Sequence, residues 1–225
     1  MTTVGGALDA PGPAHVGLIP DGLRRWASSH DETFAQSYLR GAEKVVEILL
    51  ALQRNGVRTV TVYNLSRANL MRGDAELSGV YAASVHFFDT LIPAHFDPAV
   101  CGVRLHGDLD LLPANYLSAA RAAERAMTGT EFRINMLAAY DAGDELRAAH
   151  RRALRDGCDI NAAFGIGDVD MVIRTTPEPL LSGFLPLQSQ YAQLIFLTTP
   201  LNELEASHID ALVADFRRSP QLHGR

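Results

Sequence analysis

The chain has 225 residues, which suits one large α/β domain or two small ones, because a typical domain has about 150 residues. Apolar residues make up 47% of the chain and charged residues 20%, a balance that excludes a disordered chain, a collagen-like repeat or a disulfide scaffold. The formal net charge of −6 leaves no basic surface for nucleic-acid phosphates, so we expect no nucleic-acid partner.

The cysteines and the hydropathy indicate a cytoplasmic protein. Cys101 and Cys158 are far apart in a chain with no signal-peptide pattern, which is typical of free thiols in a reducing compartment. No apolar run reaches the ~18 residues of a membrane span. We therefore expect a soluble protein without stable membrane insertion.

Regular structure is predicted to begin after a flexible N-terminal tail over residues 1–13, which mix Gly, Pro, Thr and Ala without periodicity. Apolar and β-branched runs predict strands at residues 15–19, 57–65, 103–106, 131–138, 169–175 and 194–198. Helical periodicity predicts helices at residues 37–55, 74–88, 114–127, 143–156 and 204–217.

Strands that alternate with helices of this length favour right-handed βαβ units and a mostly parallel sheet covered on both faces. No linker or internal repeat interrupts the pattern. We predict the α/β class, with one domain over residues 14–225 built on about six parallel strands. Ligands of such sheets bind beyond the carboxyl ends of the strands, so the residues that follow the strands are the candidates for chemistry.

The first strand runs into residues 19–26 (IPDGLRRW). Gly22 permits a tight turn, and the amides behind it, with Arg24 and Arg25, suit an anion. Asp21 places a carboxylate beside that anion site, an arrangement typical of a bridging Mg²⁺ ion. Asp-Gly is also an ordinary turn, and an arginine pair is often only a solvated surface. The absence of a Gly-Lys-Ser/Thr sequence excludes a nucleotide P-loop.

Polar residues follow two further strands. Ser66, Asn69 and Arg72 lie in residues 63–72 (YNLSRANLMR), where they suit a phosphorylated ligand or, alternatively, a helix cap and a surface charge. Arg174 follows an apolar strand directly and needs a partner for its charge, and residues 181–188 (LSGFLPLQ) come soon after it.

These residues indicate an anion site but do not name a reaction. All but one of the 20 basic residues are arginines, so such a site consists of guanidinium groups and backbone amides, which suit a phosphate or diphosphate. The eight histidines are scattered, and no hydrolytic triad or zinc site is apparent. The sequence therefore predicts binding of a phosphorylated ligand.

Residues 15–27 resemble the opening signature of the cis-prenyltransferase family, which includes undecaprenyl diphosphate synthase. Residues 63–72 are similar to the second signature of that family and residues 173–194 to its last, and the resemblance extends over residues 15–218. It implies a parallel sheet ringed by helices around a hydrophobic tunnel, Mg²⁺ as cofactor, prenyl diphosphates as substrates, and a homodimer.

The resemblance also implies a role for individual residues. It makes Asp21 the catalytic aspartate that handles Mg²⁺ and diphosphate, with Ser66 and Asn69 as a polar relay. It assigns the donor diphosphate to Gly22, Arg24, Arg25 and Arg72, and the acceptor diphosphate to Arg174 and Ser182.

Several positions depart from the family pattern, and they indicate that the chain is not an ordinary chain elongator. The departures are Leu23 for Asn, Phe34 for Arg, Tyr38 for His, Ala68 for Glu, Leu180 for Arg, Gln193 for Glu, and residues 141–143 (DAG) for Gly-Gly-Arg. Tyr38 keeps its place in the substrate site, and the bulk of Phe34 and Tyr38 disfavours long products. Gln193 offers an amide where the family has a carboxylate, so we expect Mg²⁺ to be held mainly by Asp21 and substrate oxygens.

The retained and altered positions together resemble the lavandulyl-type branch of the family, whose members join two allylic diphosphates head-to-middle. We expect a branched diphosphate of ten or fifteen carbons, made from dimethylallyl diphosphate with itself or with geranyl diphosphate. The alternatives are a regular short-chain cis-prenyl diphosphate synthase that uses isopentenyl diphosphate, and a non-catalytic partner subunit of such an enzyme. A longer branch that transfers a diterpenyl group to a nucleoside carries a similar first motif and ranks below the lavandulyl type.

Overall fold

The computed structural model describes residues 11–219, which form one six-stranded sheet with helices around it. The strands are β1 (His15–Ile19), β2 (Thr59–Tyr63), β3 (Cys101–His106), β4 (Phe132–Leu137), β5 (Met171–Arg174) and β6 (Gln193–Phe196). Their order is β3-β4-β2-β1-β5-β6, and all neighbours are parallel. The predicted α/β class and parallel sheet are therefore confirmed. Most of the predicted tail, residues 1–10, lies outside the described residues.

The helices are α1 (Leu23–Ser29), α2 (Phe34–Arg54), α3 (Asp74–His86), α4 (Ile92–His95), α5 (Ala114–Ala126), α6 (Ala142–Asp156) and α7 (Ala206–Arg218). Among these helices, α2 has the clearest start signal, a capping box in which the Thr33 side chain accepts the Gln36 N–H while the Gln36 side chain accepts the Thr33 N–H. No helix of residues 11–219 is both long and apolar enough to cross a membrane.

The helix predicted to stop at residue 88 instead continues through a π-helical turn, Phe87–Leu91, into α4. Pro93 lies in the first turn of α4, where it cannot donate the hydrogen bond of an unbroken α-helix. The wider turn just before it buries Phe87, Phe88 and Leu91 together, and single π turns of this kind are frequent at functional sites. The predicted end of this helix at residue 88 is therefore wrong, because the helical run continues to His95.

The two faces of the sheet carry separate apolar clusters. Val16 and Leu18 of β1 belong to the larger cluster, which extends under α2, while Ile19 belongs to a smaller cluster with Phe184 on the other face. Between them, Gly17 leaves room for the Phe184 ring, since a Cβ at position 17 would lie 2.5 Å from a ring carbon. This contact anchors the loop after β5 against the sheet.

A buried row of polar side chains crosses four strands of the sheet. His15 Nε2 lies 2.8 Å from the Thr61 hydroxyl, which also accepts a 3.1 Å hydrogen bond from the Asn135 amide. Asn135 Oδ1 lies 3.3 Å from His106 Nε2. Burial lowers the pKa of both histidines, so this row is stable when they are neutral.

Candidate active site

The three sequence motifs meet at one edge of the sheet. β1 lies between β2 and β5, so the segments after these strands adjoin one another at the carboxyl edge. They surround the mouth of a cavity of about 230 Å³. Its lining contains every predicted site residue except Arg25: Asp21, Gly22, Arg24, Tyr38, Ser66, Asn69, Arg72, Arg174 and Ser182.

Asp21 forms the centre of the mouth. One carboxylate oxygen lies 2.6 Å from Arg174 Nη2 and accepts a 3.2 Å hydrogen bond from the Thr176 hydroxyl. The other accepts the N–H of Gly22 at 2.6 Å. Burial acts to raise the pKa of Asp21, but the hydrogen bonds from Gly22, Arg174 and Thr176 outweigh it and hold the pKa below its usual range. Asp21 is therefore a carboxylate at neutral pH, with its side chain 37% exposed.

Arg174 links Asp21 to the loop after β5. Its side chain is only 8% exposed, and its Nη1 donates to the Ser182 hydroxyl at 2.9 Å and to the carbonyl of Leu180. Ser182 has a φ of 52°, in the left-handed region, so the backbone turns sharply to bring this hydroxyl to the guanidinium. The charge of Arg174, which the sequence required to have a partner, is thus satisfied at the site.

Arg24 and Arg25 follow the turn at Gly22, whose φ of 92° suits glycine. Arg24 lines the cavity, whereas Arg25 lines only a shallower depression outside its mouth. There Arg25 makes hydrogen bonds of 3.1 and 3.4 Å to the two carboxylate oxygens of Glu178. Arg24 therefore borders both the cavity and the depression, whereas Arg25 borders only the depression.

Ser66 and Asn69 stabilise the segment that contains them through reciprocal hydrogen bonds. The Ser66 hydroxyl accepts the Asn69 N–H, and the Asn69 carbonyl oxygen Oδ1 accepts the Ser66 N–H, both at 3.1 Å. The Ser66 hydroxyl also hydrogen-bonds the hydroxyl of Tyr63, which donates to the Ser182 carbonyl at 3.1 Å. Tyr63, which the sequence reasoning did not select, thereby connects the predicted relay with the predicted acceptor site.

A buried carboxylate that the sequence reasoning missed lies beside Arg72. Glu76 is 7% exposed, and its Oε1 lies 3.0 Å from Arg72 Nη1 and accepts a 2.8 Å hydrogen bond from the Tyr38 hydroxyl. Its Oε2 lies 3.6 Å from Arg24 Nε. The spacing of four residues between Arg72 and Glu76, at the start of a helix, was the signal that could have identified the pair.

The other end of the cavity is closed by apolar side chains. The lining residues there come from β2, β4, α2, α3 and the π turn: Val45, Val62, Val80, Ala83, Phe87, Phe88 and Met136. Two polar side chains, Asn64 and Ser84, reach it, and Asn64 donates hydrogen bonds to Ser84 at 3.1 Å and to the fully buried Tyr116 at 2.9 Å. The cavity therefore has a charged mouth and a mainly apolar closed end.

The departures from the family pattern fall in several places. Phe34 lies in the outer depression, and Leu180, 59% exposed, offers Arg174 only its carbonyl. Gln193 lies opposite Met171 at the amino end of β6. Asp21 follows the carboxyl end of β1, and three residues of strand correspond to about 10 Å. Within one chain, Gln193 therefore does not lie beside Asp21.

These features define a class of protein before any comparison. An arginine-rich mouth, with carboxylates beside it, leads into a closed apolar cavity, and this combination suits an amphiphile with an anionic head and a short hydrocarbon chain.

Comparison with known proteins gives the family. Residues 19–224 match the family described as putative undecaprenyl diphosphate synthase. The chain is 30% identical over 233 residues to a tritrans,polycis-undecaprenyl-diphosphate synthase (geranylgeranyl-diphosphate specific) of Thermococcus kodakarensis, covering 95% of this chain and 87% of that protein. It is 27% identical over 235 residues to an isoprenyl transferase of Streptococcus pyogenes, covering 95% of this chain and 93% of that protein.

The solved structure of lavandulyl diphosphate synthase from Lavandula x intermedia, in complex with dimethylallyl diphosphate, superposes with a TM-score of 0.84 at 20% identity. The superposition covers 93% of this chain and 97% of that one, and it confirms the fold. The chain belongs to the undecaprenyl diphosphate synthase, or cis-prenyltransferase, family and is a prenyl diphosphate synthase of that type.

Proposed function

We propose that this prenyltransferase joins two allylic diphosphates head-to-middle. The acceptor is dimethylallyl diphosphate, the donor is dimethylallyl or geranyl diphosphate, and the product is a short branched diphosphate of the lavandulyl type. The observation that carries the proposal is the acceptor side of the mouth. Arg174 and Ser182 remain there, but the position where the family has a second arginine is Leu180, whose exposed side chain carries no charge.

The loss of that guanidinium changes how the acceptor is held. Hydrogen bonds to charged groups contribute about 1.5–3 kcal/mol each, so an acceptor diphosphate bound without it is less firmly fixed. Regular elongation needs the terminal carbon of isopentenyl diphosphate aimed at the donor cation, whereas attack through a middle carbon needs a turned acceptor. A looser acceptor site supports the second geometry.

The size of the cavity supports short substrates. Its volume of about 230 Å³ lies below the ~300–1,000 Å³ that is usual for ligand pockets. Phe87 and Phe88 close its far end, and both side chains are buried. The similarity to the lavandulyl diphosphate synthase of Lavandula x intermedia, a protein solved with dimethylallyl diphosphate, agrees with this substrate class.

The proposed reaction begins when the C1–O bond of the donor breaks and the electron pair leaves with the diphosphate. Arg72, Arg24 and the amides of the first motif stabilise that anion. The C2 carbon of the acceptor alkene then bonds to the donor C1, which leaves a tertiary cation at the acceptor C3. A methyl proton is lost to form the new double bond, and an oxygen of the released diphosphate receives it.

The predicted relay residues, Ser66 and Asn69, provide oriented polar groups for that proton transfer. Ser66 and Asn69 line the cavity, and Ser66 is linked through Tyr63 to the acceptor loop. Burial raises the pKa of Tyr63, so its hydroxyl stays protonated and acts as a hydrogen-bond donor. The apolar walls exclude water, which would otherwise capture the cation.

The donor set at the mouth fits a magnesium ion. Mg²⁺ prefers one or two carboxylates together with substrate phosphates and water, and Asp21 offers a partly exposed carboxylate beside the arginines. No group of three or more His, Cys, Asp or Glu side chains suited to a metal occurs within residues 11–219. Asp21 would therefore hold the ion together with diphosphate oxygens, and the bound ion would supply further charge stabilisation for the leaving group.

We also propose that the enzyme is a homodimer. β6 is an edge strand, and Leu187, Tyr191 and Leu194 on or next to it are 41–68% exposed. An apolar edge of this kind pairs readily with another chain. Light scattering after size exclusion tests the pairing, and a mass equal to one chain at all concentrations would refute it.

Assays with purified enzyme and Mg²⁺ test the reaction. Dimethylallyl diphosphate alone, or paired with geranyl diphosphate, is expected to give a branched ten- or fifteen-carbon alcohol after phosphatase treatment, identified by mass spectrometry. A linear product that forms only with isopentenyl diphosphate would support the regular synthase instead. No product from any combination would support the non-catalytic subunit.

A further inference from the structure

Glu76 occupies an unusual position for a carboxylate. It lies in the first turn of α3, outside the three motifs, and is 7% exposed beside arginines that line the cavity. A buried carboxylate is costly unless it is paired, and a second negative charge beside a diphosphate would by itself weaken ligand binding. The partners of Glu76 must therefore explain why a carboxylate is buried at this position.

Those partners come from three different elements. Arg72 precedes α3, Tyr38 belongs to α2 and Arg24 to α1, and all three direct polar atoms at the Glu76 carboxylate. All three also line the cavity. Glu76 thus ties together the first and second motifs at the place where the donor diphosphate is expected.

The contacts leave one edge of Arg72 available. Only Nη1 of its guanidinium is engaged, at 3.0 Å from Glu76 and 3.4 Å from the Tyr38 hydroxyl, and within residues 11–219 its Nη2 and Nε make no hydrogen bond. Fixing a free arginine side chain costs rotamer entropy. Because Glu76 already fixes Arg72 in the free enzyme, binding of the ligand does not have to order that side chain, and this preorganisation increases affinity.

Tyr38 acts as the second fixed point. Burial raises its pKa, and the hydrogen bond to Glu76 raises it further, so the hydroxyl remains a donor directed at the carboxylate. The bulky phenol of α2 therefore holds the Glu76 carboxylate in place from a second element.

We propose that Glu76 is a positioning residue of the donor site, which holds Arg72 so that the free edge of its guanidinium meets the diphosphate of the allylic donor. The identity of that donor rests on the proposed function. The positioning itself requires only a prenyl diphosphate at the mouth.

Binding of geranyl S-thiolodiphosphate, a donor analogue whose sulfur bridge resists ionisation, tests the proposal by calorimetry with the full chain and Mg²⁺. Glu76→Ala is expected to weaken binding about tenfold or more, the size of a lost charge-assisted contact. Glu76→Gln keeps an acceptor for Tyr38 and Arg72 and should recover part of the loss. In kinetics, the KM for the donor should rise more than the KM for the acceptor.

A double-mutant cycle with Arg72→Ala separates positioning from a structural role. If Glu76 acts through Arg72, adding Glu76→Ala to the Arg72→Ala variant causes little further loss of analogue binding. The proposal would be overturned if the two substitutions weaken analogue binding independently, so that their fold-losses multiply in the double variant. It would also be overturned if Glu76→Ala lowers the melting temperature but leaves the affinity for the analogue unchanged. Glu32→Gln is the matched control, since Glu32 pairs with Arg40 at 2.7 Å but does not line the cavity, and it should bind the analogue normally.

These outcomes are separate from those of the proposed function. A wild-type enzyme that makes only linear products from isopentenyl diphosphate refutes the head-to-middle reaction, while coupling between Glu76 and Arg72 would still stand. If the double-mutant cycle shows no coupling between Glu76 and Arg72, the role of Glu76 is refuted, whatever product the wild type makes.

Discussion

The mouth and the closed end of the cavity hold a substrate by different kinds of contact. At the mouth, the segments at the carboxyl ends of β2 and β5 present arginines that are each paired with a carboxylate: Arg72 with Glu76 and Arg174 with Asp21. Arg25 pairs with Glu178 in the depression outside the mouth. At the closed end, Phe87, Phe88 and their neighbours belong to the core itself. The exposed Arg25–Glu178 pair can therefore change with little effect on folding, whereas the side chains of the closed end serve stability and substrate fit together.

The largest effect is expected from Asp21→Ala, which removes the only carboxylate placed to hold both Arg174 and a metal ion among the described residues that line the cavity. We expect turnover to fall by at least about 100-fold, the usual loss when one preorganised charged contact to a reacting group is removed. Arg174 retains Thr176 and Ser182 as partners, so the melting temperature should change little. Near-normal activity with a normal melt would contradict the role of Asp21.

Phe88→Ala tests the other end of the cavity. Phe88 is 2% exposed and packs edge-to-face on Phe87 and Tyr116, so its truncation should lower the free energy of unfolding by about 3–5 kcal/mol. The same variant should accept a longer donor, because the ring closes the cavity. Phe88→Leu, which keeps most of the volume, is the control. If the variant is destabilised but its donor preference is unchanged, Phe88 contributes to stability and does not limit the length of the donor.

The sequence predicted the fold better than the site because the fold depends on repeating patterns. Six apolar runs at β-strand length defined the strands, and the actual strands lie within or close to them, as β2 (Thr59–Tyr63) does within residues 57–65. Asp21, Arg72 and Arg174 could be selected because each follows a strand or belongs to a motif. Their approach to one another follows from the parallel order of β2, β1 and β5.

Contacts between distant segments could not be predicted in the same way. Glu76 and Tyr63 belong to the site only because the tertiary fold brings Tyr38 to one and Ser182 to the other. The π turn at Phe87–Leu91 was missed because one wider turn leaves no mark in a hydrophobic period, so the helical pattern was interpreted as ending at residue 88.

A smaller effect is expected from pH. Burial lowers the pKa of His15 and His106, so the unfolded chain binds more protons than the folded one as the pH falls below about 6.5, and the folded state loses stability toward pH 5. Urea unfolding at pH 7 and pH 5 measures this loss of unfolding free energy, and we expect both histidines to contribute to it. His15→Gln should flatten the dependence. His95→Gln, at an exposed position, should leave it unchanged, and an equal slope in all three proteins would contradict the assignment.

The smallest effect is expected from Glu178→Gln. The Arg25–Glu178 pair is largely exposed, and such pairs contribute little to folding. We expect no measurable change in melting temperature and only a modest change in the KM for the donor, because Arg25 lies outside the inner cavity. A large loss of turnover would show that the outer depression belongs to the catalytic mouth.

NMR of the product formed from dimethylallyl diphosphate labelled with ¹³C at C2 distinguishes the head-to-middle reaction from regular elongation. The head-to-middle reaction predicts that the labelled acceptor carbon becomes a saturated methine bonded to C1 of the donor, with a new isopropenyl group beside it. If every labelled carbon remains an alkene carbon, and a new bond appears only when isopentenyl diphosphate is added, the enzyme is a regular elongating synthase and the account is contradicted.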